Sequence, residues 1–589
     1  NRVGTYSLCD NPTGIFVRQG DTVIVFVNDT QGYNITLDLK NYNKPGGNGY
    51  WDNTYYPLYK GANKVIADRD GLFYVFYHTS DHLTAPKIKI HFAFGKANGY
   101  YDNQKHSPAD WTRILSATQY EYFDVLGAYA HLSFPTAKFK ANASTTGPQL
   151  IKNYDDLVYA ERDLMGYYKF PNRNPYNRSH FVVMYHNYMY STSYHTGYEV
   201  STMDGLTNAA NVRQYPWGPA HEVGHSNQHN PLLKWVGTTE VTNNIQSLYV
   251  QTQWGNVSRL TEEGRYQEAF DDLLVPQKAH CEVNIWRKLV PFWQLQLFFS
   301  NVLDRNDFYA SIYEGCRTRP TGSNQGEYQL NFVKIVTDSA KVDLTEFFNA
   351  WGFLKPVNVR VDDYSPAQLT ISTSQSLAVK NYIKNKNFPI PPYKIQYITD
   401  NNREIYKNKS TLVKGASVRF GNSYKMSNWQ NVVAYEAWQS DTLVNVSQTS
   451  EINMVGNVGP NSKVYAVQYD GTKTEVVPDL AVNVEVPKIS DENNAYWYYV
   501  KNMNNVTPRS RAALTVASAG SPVKGSIEPV LKTQRWKLIK AGNKTALVNE
   551  SGVYLGADFN GATAPFGWTV ENVSQGGSSG YRLATYDAS

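Results

Sequence analysis

The amino-acid sequence predicts a multidomain α+β protein in which β-rich segments flank a mixed segment with many helices. The 589 residues are enough for about three to five domains. Apolar and polar residues alternate in short runs at both ends of the chain, and apolar residues recur at helical spacing in the middle. A hydrophobic content of 41% against 18% charged residues supplies apolar area for packed cores and excludes a disordered chain.

The N-terminal segment, residues 1–95, is predicted to be a β-sandwich accessory domain. Its apolar runs are separated by Gly, Asn and Asp, which favour turns. The runs with strand-like alternation cover residues 14–17, 22–27, 72–77 and 88–92. None of them carries a cluster of catalytic side chains, so the chemistry is expected further along the chain.

Residues 96–388 have a different pattern, which predicts an α/β lobe followed by a helical lobe. A helical stretch at 150–165 precedes two strand-like runs at 180–185 and 194–200. Helical spacing then dominates over residues 219–230, 238–252, 263–274, 290–303, 306–316, 326–338 and 343–351. This segment is the predicted catalytic domain.

Two further β-rich domains are predicted after a proline-rich stretch at residues 388–392. Residues 389–485 contain strand runs typical of an immunoglobulin-like β-sandwich. In residues 486–589, three tryptophans recur at intervals near the length of one β-trefoil lobe. They are Trp497, Trp536 and Trp568. The spacing favours a lectin-like, carbohydrate-binding module of the ricin type, and a second β-sandwich with unrelated tryptophans is the alternative.

Composition narrows the possible partners. A net charge of +5 is too small to imply nucleic acid or an anionic membrane, and no apolar run is long enough for a membrane span. The 45 tyrosines suit polar partners such as sugars, but β-strands also favour tyrosine.

The cysteines allow one disulfide, between Cys281 and Cys316, or three buried thiols. A start at Asn1, without Met or an apolar leader, is typical of a mature or trimmed chain.

A cluster of histidines marks the candidate site, because six of the 12 lie between residues 180 and 229. Among them, His221 and His225 are four residues apart, so both imidazoles lie on one helix face and can bind one Zn²⁺. Glu222 follows the first histidine, where its carboxylate can contact the zinc-bound water without being a ligand. A chance match to this pattern is expected only about 0.02 times in a chain of this composition.

The third zinc ligand is predicted on a second helix, at residues 238–252. Glu240 projects from its first turn, on a face other than the apolar stripe that includes Val241 and Ile245. Two histidines and one glutamate leave one open coordination position, which is typical of a catalytic zinc site. The alternative for Glu240 is an acid that the helix dipole stabilises.

Several neighbouring residues have two interpretations. His229 and His280 are expected to be structural histidines rather than ligands. Three more histidines either line the cleft or simply alternate along a strand, namely His180, His186 and His195. Five tyrosines either contact substrate or cover a sheet, namely Tyr185, Tyr188, Tyr190, Tyr194 and Tyr198.

The sequence resembles the enhancin-like, mucin-degrading zinc metallopeptidases, a gluzincin-type family. The resemblance covers roughly residues 1–385. It rests on the core Gly218-x-x-His221-Glu222-x-x-His225, on Gln228, on Glu240 with Asn243 and Asn244, and on residues 14–20, 286–295 and 343–352. It implies a gluzincin-like peptidase domain with His221, His225 and Glu240 as zinc ligands and Glu222 as the base. It also implies carbohydrate-binding and immunoglobulin-like modules beside that domain, and a secreted or cell-surface enzyme of a mucosa-associated bacterium.

We therefore predict a zinc endopeptidase that hydrolyses peptide bonds of mucin-type O-glycosylated proteins, with the zinc-bound water activated by Glu222. Its expected partners are O-glycosylated mucin-like proteins and their glycans, and we expect a monomer. The strand region at 180–200 is expected to hold the substrate peptide by strand addition. Two alternatives stay open: a glycan-binding adhesin with a non-catalytic peptidase-like domain, and a zinc peptidase indifferent to glycans. Glu222 argues against the adhesin, because a recognition scaffold has no chemical need of a base.

Overall fold

The computed structural model describes residues 1–455, 458–482, 490, 497–500, 513–515, 523–525, 532–542, 544–575 and 578–584. The chain forms two compact units. The first contains residues 1–410 and 469–471, and the second contains residues 411–468 and 472–589. Within the described residues, no helix is long and apolar enough to cross a membrane. All three cysteines are free and buried, so the predicted alternative of three buried thiols holds.

The first unit opens with a β-sandwich, because each strand buries one face of an alternating apolar pattern. One sheet has the strand order Asn53–Leu58, Ile35–Lys40, Gly71–Phe76, Pro12–Val17 and Lys96–Ala97. The other has the order Gly61–Ile66, Thr22–Val27 and Ile90–Phe94. Side chains from both sheets form one apolar core, with Val25, Leu37 and Phe73 among its fully buried members. Each of the four predicted runs overlaps a strand of the sandwich. Four strands that the sequence does not predict complete it: Ile35–Lys40, Asn53–Leu58, Gly61–Ile66 and Lys96–Ala97.

A six-stranded mixed sheet follows in the same unit. Its strand order is Met189–Thr192, His195–Glu199, Ser179–Met184, Ala130–Pro135, Tyr122–Leu126 and Tyr101–Asp102. The helices that accompany it are Pro108–Ala117, Thr136–Asn142 and Gly147–Leu164. The central strands are buried along their whole length, which explains why their sequences are apolar runs rather than clean alternations. Strand Met189–Thr192 forms one edge of this sheet.

The rest of the first unit is mainly helical. Its α-helices are Met203–Leu206, Ala209–Gln214, Trp217–Asn227, Thr239–Gln253, Arg259–Glu262, Arg265–Ala269, Ile285–Gln296, Phe308–Thr318, Gln325–Ala340, Thr345–Ala350, Thr373–Asn385 and Arg403–Lys407. π-Helical turns at Phe270–Leu274 and Leu297–Val302 continue two of them. The 3₁₀ turns are Gly49–Trp51, Pro171–Arg173, Val200–Thr202, His280–Glu282 and Ile395–Tyr397. A hairpin, Val357–Val361 paired with Ala367–Ile371, interrupts the helices.

The second unit is built from β-sheets. Its first sheet has the strand order Glu451–Asn453, Ser423–Ser427, Ala416–Phe420 and Leu480–Val482. Its second sheet has the order Thr442–Ser447, Ala434–Gln439, Ser462–Val467 and Lys473–Glu475. A third sheet has the order Tyr498–Tyr499, Arg535–Ala541, Lys544–Asn549, Tyr554–Leu555, Gly561–Ala562. Two strand pairs are Ala513–Thr515 with Val523–Gly525, and Thr569–Gln575 with Ser578–Ala584.

The three recurring tryptophans lie in this last β-rich region. Trp536 and Trp568 are buried in a common apolar cluster, and Trp497 is half-buried. The ricin-type module stays a prediction, because much of the segment 483–531 lies outside the described residues. The domain boundaries at residues 95, 388 and 485 likewise stay predictions.

Candidate metal centre

Two helices of the first unit carry the candidate site. The first site helix is Trp217–Asn227 and the second site helix is Thr239–Gln253. Gly224 permits their close packing, because a Cβ there would lie 2.6 Å from the backbone oxygen of Asn243. The second site helix has a non-helical backbone at Glu240 (φ −93°, ψ 20°), which sets the direction of that side chain at the start of the helix.

The predicted ligands come together between the two helices. Nε2 of His221 lies 3.1 Å from Oε2 of Glu240, and Nε2 of His225 lies 3.3 Å from the same oxygen. All three side chains are partly buried, and their ligand atoms lie within 4.8 Å of one another. Tetrahedral Zn²⁺ with bonds of about 2.0–2.1 Å separates neighbouring ligand atoms by about 3.3 Å. The donor set and its spacing therefore fit one zinc ion.

Outer hydrogen bonds engage the Nδ1 atoms of both histidines, while each Nε2 faces Glu240. The side-chain amide nitrogen of Asn243 also lies 3.3 Å from Nε2 of His221 and 3.1 Å from Nε2 of His225. Nδ1–H of His221 donates to Oδ1 of Asn244 at 2.7 Å, and Nδ1–H of His225 donates to Oε1 of Gln228 at 3.1 Å. The Asn244 amide also donates to the backbone oxygen of Glu240, at 2.9 Å. Acceptors at Nδ1 fix the tautomer and the orientation of a metal-binding imidazole. Asn244 and Gln228 thus pre-organise the pair.

Hydrogen bonds between Glu240 and the two histidines favour the ionised form of the Glu240 carboxyl. Burial opposes charge on Glu240, but the hydrogen bonds from His221 and His225 outweigh it and hold the pKa of that carboxyl well below its usual range. Burial likewise lowers the pKa of His221, yet its hydrogen bond to Glu240 and the charge of Glu222 leave that pKa raised. The carboxylate is therefore ready to act as an anionic ligand at neutral pH.

Glu222 lies on the first site helix beside both histidines and is 5% exposed. Burial raises the pKa of its carboxyl, the nearby His221 and His225 lower it, and Glu240 raises it further. A carboxyl with a raised pKa accepts a proton more readily, which is the property that a general base requires. Its position and pKa suit the role predicted for it.

The other predicted histidines lie away from this cluster. His180 and His195 are almost fully buried where the mixed sheet meets the N-terminal β-sandwich, and His186 is exposed. His229 and His280 are also buried and belong to no metal-binding group. In the part of the chain that the structure describes, the one group of acidic, histidine or cysteine side chains with ligand spacing is His221, His225 and Glu240.

The tyrosine run divides between the two interpretations. Tyr198 is completely buried and covers the sheet, whereas Tyr188 is 73% exposed. Tyr185 is half-buried, and its hydroxyl lies 2.5 Å from that of Tyr122. Residues Tyr190 and Tyr194 are half-buried as well. Exposure therefore leaves Tyr188 as the member most open to a substrate.

Two residues that the sequence does not single out lie beside the site. Asp363 and Tyr364 occupy the turn of the hairpin that pairs Val357–Val361 with Ala367–Ile371. A cavity of about 240 Å³ is lined by Glu240, by Lys288, and by Asp362 and Asp363 of this turn. No local pattern identifies a turn residue that reaches a distant helix, so the sequence offers no signal for it.

The comparison with protein families gives one match in this region. Residues 97–352 match the family model described as Peptidase M60, enhancin and enhancin-like.

Among curated proteins, the chain is similar to TRPM8 channel-associated factor 2 of Homo sapiens, with 26% identity over 311 residues. That match covers 50% of this chain and 31% of the relative, so the chain spans less than a third of that protein's length.

Solved structures of similar fold include metallopeptidases. One from Bacteroides thetaiotaomicron has a TM-score of 0.70 at 25% identity, covering 80% of this chain and 86% of that chain. A metallopeptidase in complex with Tn antigen has a TM-score of 0.69 at 25% identity, covering 80% of this chain and 95% of that chain. The fold likeness thus extends well beyond the segment matched by the family model.

Proposed function

We propose that this chain, which contains a Peptidase M60, enhancin-like domain over residues 97–352, is a zinc-dependent endopeptidase of mucin-type O-glycosylated proteins. The observation that carries the proposal is the convergence of His221, His225 and Glu240 beside the buried Glu222. Two imidazoles and one carboxylate suit zinc and leave one coordination position for chemistry.

A zinc ion held by these three side chains would acidify water and polarise the carbonyl bond of the substrate. Glu222 takes a proton from the attacking water as its oxygen bonds to the carbonyl carbon. The same carboxyl then delivers the proton to the nitrogen as the peptide C–N bond breaks. The raised pKa of Glu222 favours the first transfer and lets the carboxyl hold the proton until the C–N bond breaks.

The substrate peptide is expected to lie along the edge strand Met189–Thr192. This strand packs against the first site helix: Oγ of Ser191 lies 3.1 Å from Oγ of Ser226, and the Met189 sulfur lies close to Gly218. Its outer edge is not paired with another strand of the six-stranded sheet. An extended peptide can add to such an edge through main-chain hydrogen bonds, which places its backbone beside the metal centre.

The glycan part of the proposal has its own support. The solved metallopeptidase with Tn antigen, a sugar attached to Ser or Thr, has the fold of this chain at 25% identity. The surface near the edge strand also exposes Tyr188 and, from the N-terminal β-sandwich, Trp51, which is 49% exposed and packs against Tyr194. Aromatic rings of this kind bind sugars through their apolar faces. Mucin-type substrates lie outside cells, so we also infer a secreted or cell-surface enzyme.

One experiment separates the proposal from its alternatives. The wild-type chain and the variant Glu222→Ala are incubated with native mucin and with enzymatically de-O-glycosylated mucin, and new peptide termini are identified by mass spectrometry. Glu404→Ala is the matched control, because Glu404 is exposed and lies on the helix Arg403–Lys407, outside the two site helices. Zinc content is measured for each protein.

We expect the wild type and Glu404→Ala to cleave native mucin at residues next to glycosylated Ser or Thr, and Glu222→Ala to bind zinc without cleaving. Cleavage that survives Glu222→Ala contradicts the assigned base. Equal cleavage of the deglycosylated mucin supports a zinc peptidase indifferent to glycans. Mucin binding without any cleavage supports the adhesin.

A further inference from the structure

The turn between strands Val357–Val361 and Ala367–Ile371 brings a second chain segment to the metal centre. The hairpin register pairs Val361 with Ala367, so the turn consists of residues 362–366. These residues lie beyond the segment 97–352 that matches the family model. The turn nevertheless lines the same cavity as Glu240, through Asp362 and Asp363.

Asp363 fixes this turn to the start of the second site helix. One of its carboxylate oxygens, Oδ2, accepts hydrogen bonds from the Gly237 N–H at 2.7 Å and from the Thr239 hydroxyl at 2.9 Å. Its other oxygen accepts from the N–H of Tyr364 at 2.8 Å. Because Thr239 immediately precedes Glu240, these bonds hold the turn in a defined position relative to that predicted ligand.

Gly237 makes this close approach possible. It has φ of +81°, and a Cβ on it would lie 2.8 Å from a methyl carbon of Val361 and 3.0 Å from Nζ of Lys288. The amine of Lys288 donates to the backbone oxygen of Gly237 at 3.1 Å. A larger residue at 237 would therefore move the hairpin away from the helix.

Tyr364 extends from the anchored turn towards the cluster. The residue is 81% exposed, so its ring is not held in a core and remains open to a ligand. Its side chain makes a hydrogen bond with Glu240 and lies close enough to Glu222 for the charge of that carboxylate to act on it. A tyrosine phenol carries its proton at neutral pH and can donate it in a hydrogen bond.

We propose that Tyr364 is a catalytic residue that donates a hydrogen bond to the scissile carbonyl oxygen as negative charge develops there. The assignment rests on the proposed peptidase function. Three observations support it: Asp363 anchors the turn to the second site helix, the side chain of Tyr364 is exposed, and it interacts with both Glu240 and Glu222. A preorganised donor at this oxygen stabilises the transition state more than the ground state, and so acts on kcat.

Lys234 is the competing donor in this region. It lies on the loop between the two site helices, is half-buried, and is close enough to Glu240 and Asp363 for their charges to act on its amine. Burial lowers the pKa of Lys234. A positive amine beside Glu240 can neutralise that carboxylate without touching substrate, so the two candidates require separate variants.

The test uses the full chain and a fluorescence-quenched peptide with one threonine carrying α-N-acetylgalactosamine, the sugar of Tn antigen. The variants are Tyr364→Phe, Lys234→Met and the control Tyr59→Phe. Tyr59 is 70% exposed and lies in the N-terminal β-sandwich, far from the site helices in the fold. Initial rates give kcat and KM, and competition with a chelator gives zinc affinity.

We expect Tyr364→Phe to lower kcat by about 10²–10³-fold, the usual effect of removing one such donor, with KM and zinc affinity within about twofold of wild type. Unchanged kcat in Tyr364→Phe overturns the assignment, as does a large loss in Lys234→Met alone. A fall in zinc affinity that excess zinc reverses also overturns it, because Tyr364 would then act only by supporting Glu240. No cleavage by the wild type overturns the proposed function itself, and this assignment with it.

A double variant tests the anchoring of the turn. Asp363→Ala removes the bonds to Gly237 and Thr239, and we expect it to lower kcat by at least about tenfold while leaving KM nearly unchanged. If Asp363 positions the phenol, adding Asp363→Ala to Tyr364→Phe lowers kcat by less than about threefold more. If the fold-loss of kcat in the double variant equals the product of the fold-losses in the two single variants, Asp363 does not act by positioning Tyr364.

Discussion

Two histidine pairs in the first unit have opposite surroundings. His221 and His225 lie on one helix, are partly exposed, and point their Nε2 atoms at the Glu240 carboxylate. His131 and His180 lie on neighbouring strands, are fully buried, and stack with ring centroids 4.0 Å apart and planes 6° apart. The same residue type thus forms a candidate metal centre in one place and packed polar groups in the other.

The Nε2 atoms of the buried pair belong to a hydrogen-bond network. Nε2–H of His131 donates to Asp124 at 2.9 Å, and the Ser133 hydroxyl donates to the same carboxylate at 2.6 Å. Nε2–H of His180 donates to the Ser133 oxygen at 2.8 Å. Burial, then the neighbouring His131, His195 and Lys40, lower the pKa of His180 well below its usual value. These Nε2 atoms are bonded to protein partners. Both Nδ1 atoms lack a hydrogen-bond partner, but among the residues that the structure describes this pair belongs to no group with the spacing of metal ligands.

The difference predicts that variants in the metal cluster change activity while variants in the buried network change stability. The largest expected effect is on catalysis. Glu222→Gln should lower kcat by about 10²–10⁴-fold, because the amide cannot accept the proton of the attacking water. Zinc content and the unfolding transition should match wild type. Steady-state kinetics on a glycosylated peptide test this, and a kcat within threefold of wild type contradicts it.

Buried charges beside this network, near enough for Lys40 to lower the pKa of His180, should respond in the opposite way. Lys40 and Asp38 form an ion pair at 2.9 Å, with both side chains almost inaccessible to solvent. Lys40→Met leaves the Asp38 carboxylate buried without its cation, which should cost about 3–5 kcal/mol of unfolding free energy. Urea unfolding followed by tryptophan fluorescence measures the loss. kcat of the protein that remains folded should be unchanged.

The matched control replaces both charges. Asp38→Leu combined with Lys40→Met removes the buried carboxylate as well, so most of the lost stability should return. If the double variant is as unstable as Lys40→Met, packing rather than the uncompensated charge explains the loss.

A smaller effect is expected from the groups that orient the ligands. Asn244→Ala removes the acceptor of the His221 Nδ1 proton, and loss of such a partner typically weakens metal binding by 10–100-fold. Chelator competition measures the affinity, and excess zinc should restore activity. Asn256→Ala, beyond the far end of the second site helix, is the control. Equal zinc affinity in Asn244→Ala and wild type would show that Asn244 does not support His221.

The smallest expected effect is a change of stability with pH. Burial, then Lys40, lowers the pKa of His195 to about 3, against about 6.5 in an unfolded chain. The unfolded state therefore binds the extra proton, and the stability that the neutral group contributes above pH 6.5 is lost as the pH falls from 6.5 towards 3. His195→Asn should flatten that decline by up to about 1.4 kcal/mol per pH unit.

Urea unfolding at pH 7, 6 and 5 measures this slope. The control His91→Gln changes a solvent-exposed histidine of the N-terminal β-sandwich. An identical pH slope in His195→Asn and wild type contradicts the account of the buried histidines.

The sequence predicts which side chains meet at the candidate metal centre, because its signals are local. His221 and His225 are one helical turn apart, and Glu240 lies at the start of the next helix, so helical periodicity alone places them on faces that can meet. The family resemblance noted for the same residues is confirmed over 97–352. The spacing of apolar residues also predicts the coarse architecture, because helical spacing dominates the middle of the first unit and strand alternation dominates the second unit.

Contacts between distant segments could not be predicted in this way. The turn that carries Tyr364 lies beside the second site helix, where Asp363 accepts hydrogen bonds from Gly237 and Thr239, and nothing in the local sequence of a hairpin turn indicates this. The burial of His180 depends on its neighbour strand and on the N-terminal β-sandwich, so strand alternation alone left its role open. The apolar pattern does not predict the strand Ile35–Lys40, because charged Asp38 and Lys40 interrupt that pattern yet are buried as a pair.

The most direct test of this account is the position of the metal. Crystals of the full chain grown with zinc are measured above and below the zinc absorption edge, and the anomalous difference locates the ion. We predict one strong peak within about 2.0–2.1 Å of Nε2 of His221, Nε2 of His225 and a carboxylate oxygen of Glu240. A peak at His131 and His180, or no peak at the two site helices, would contradict it.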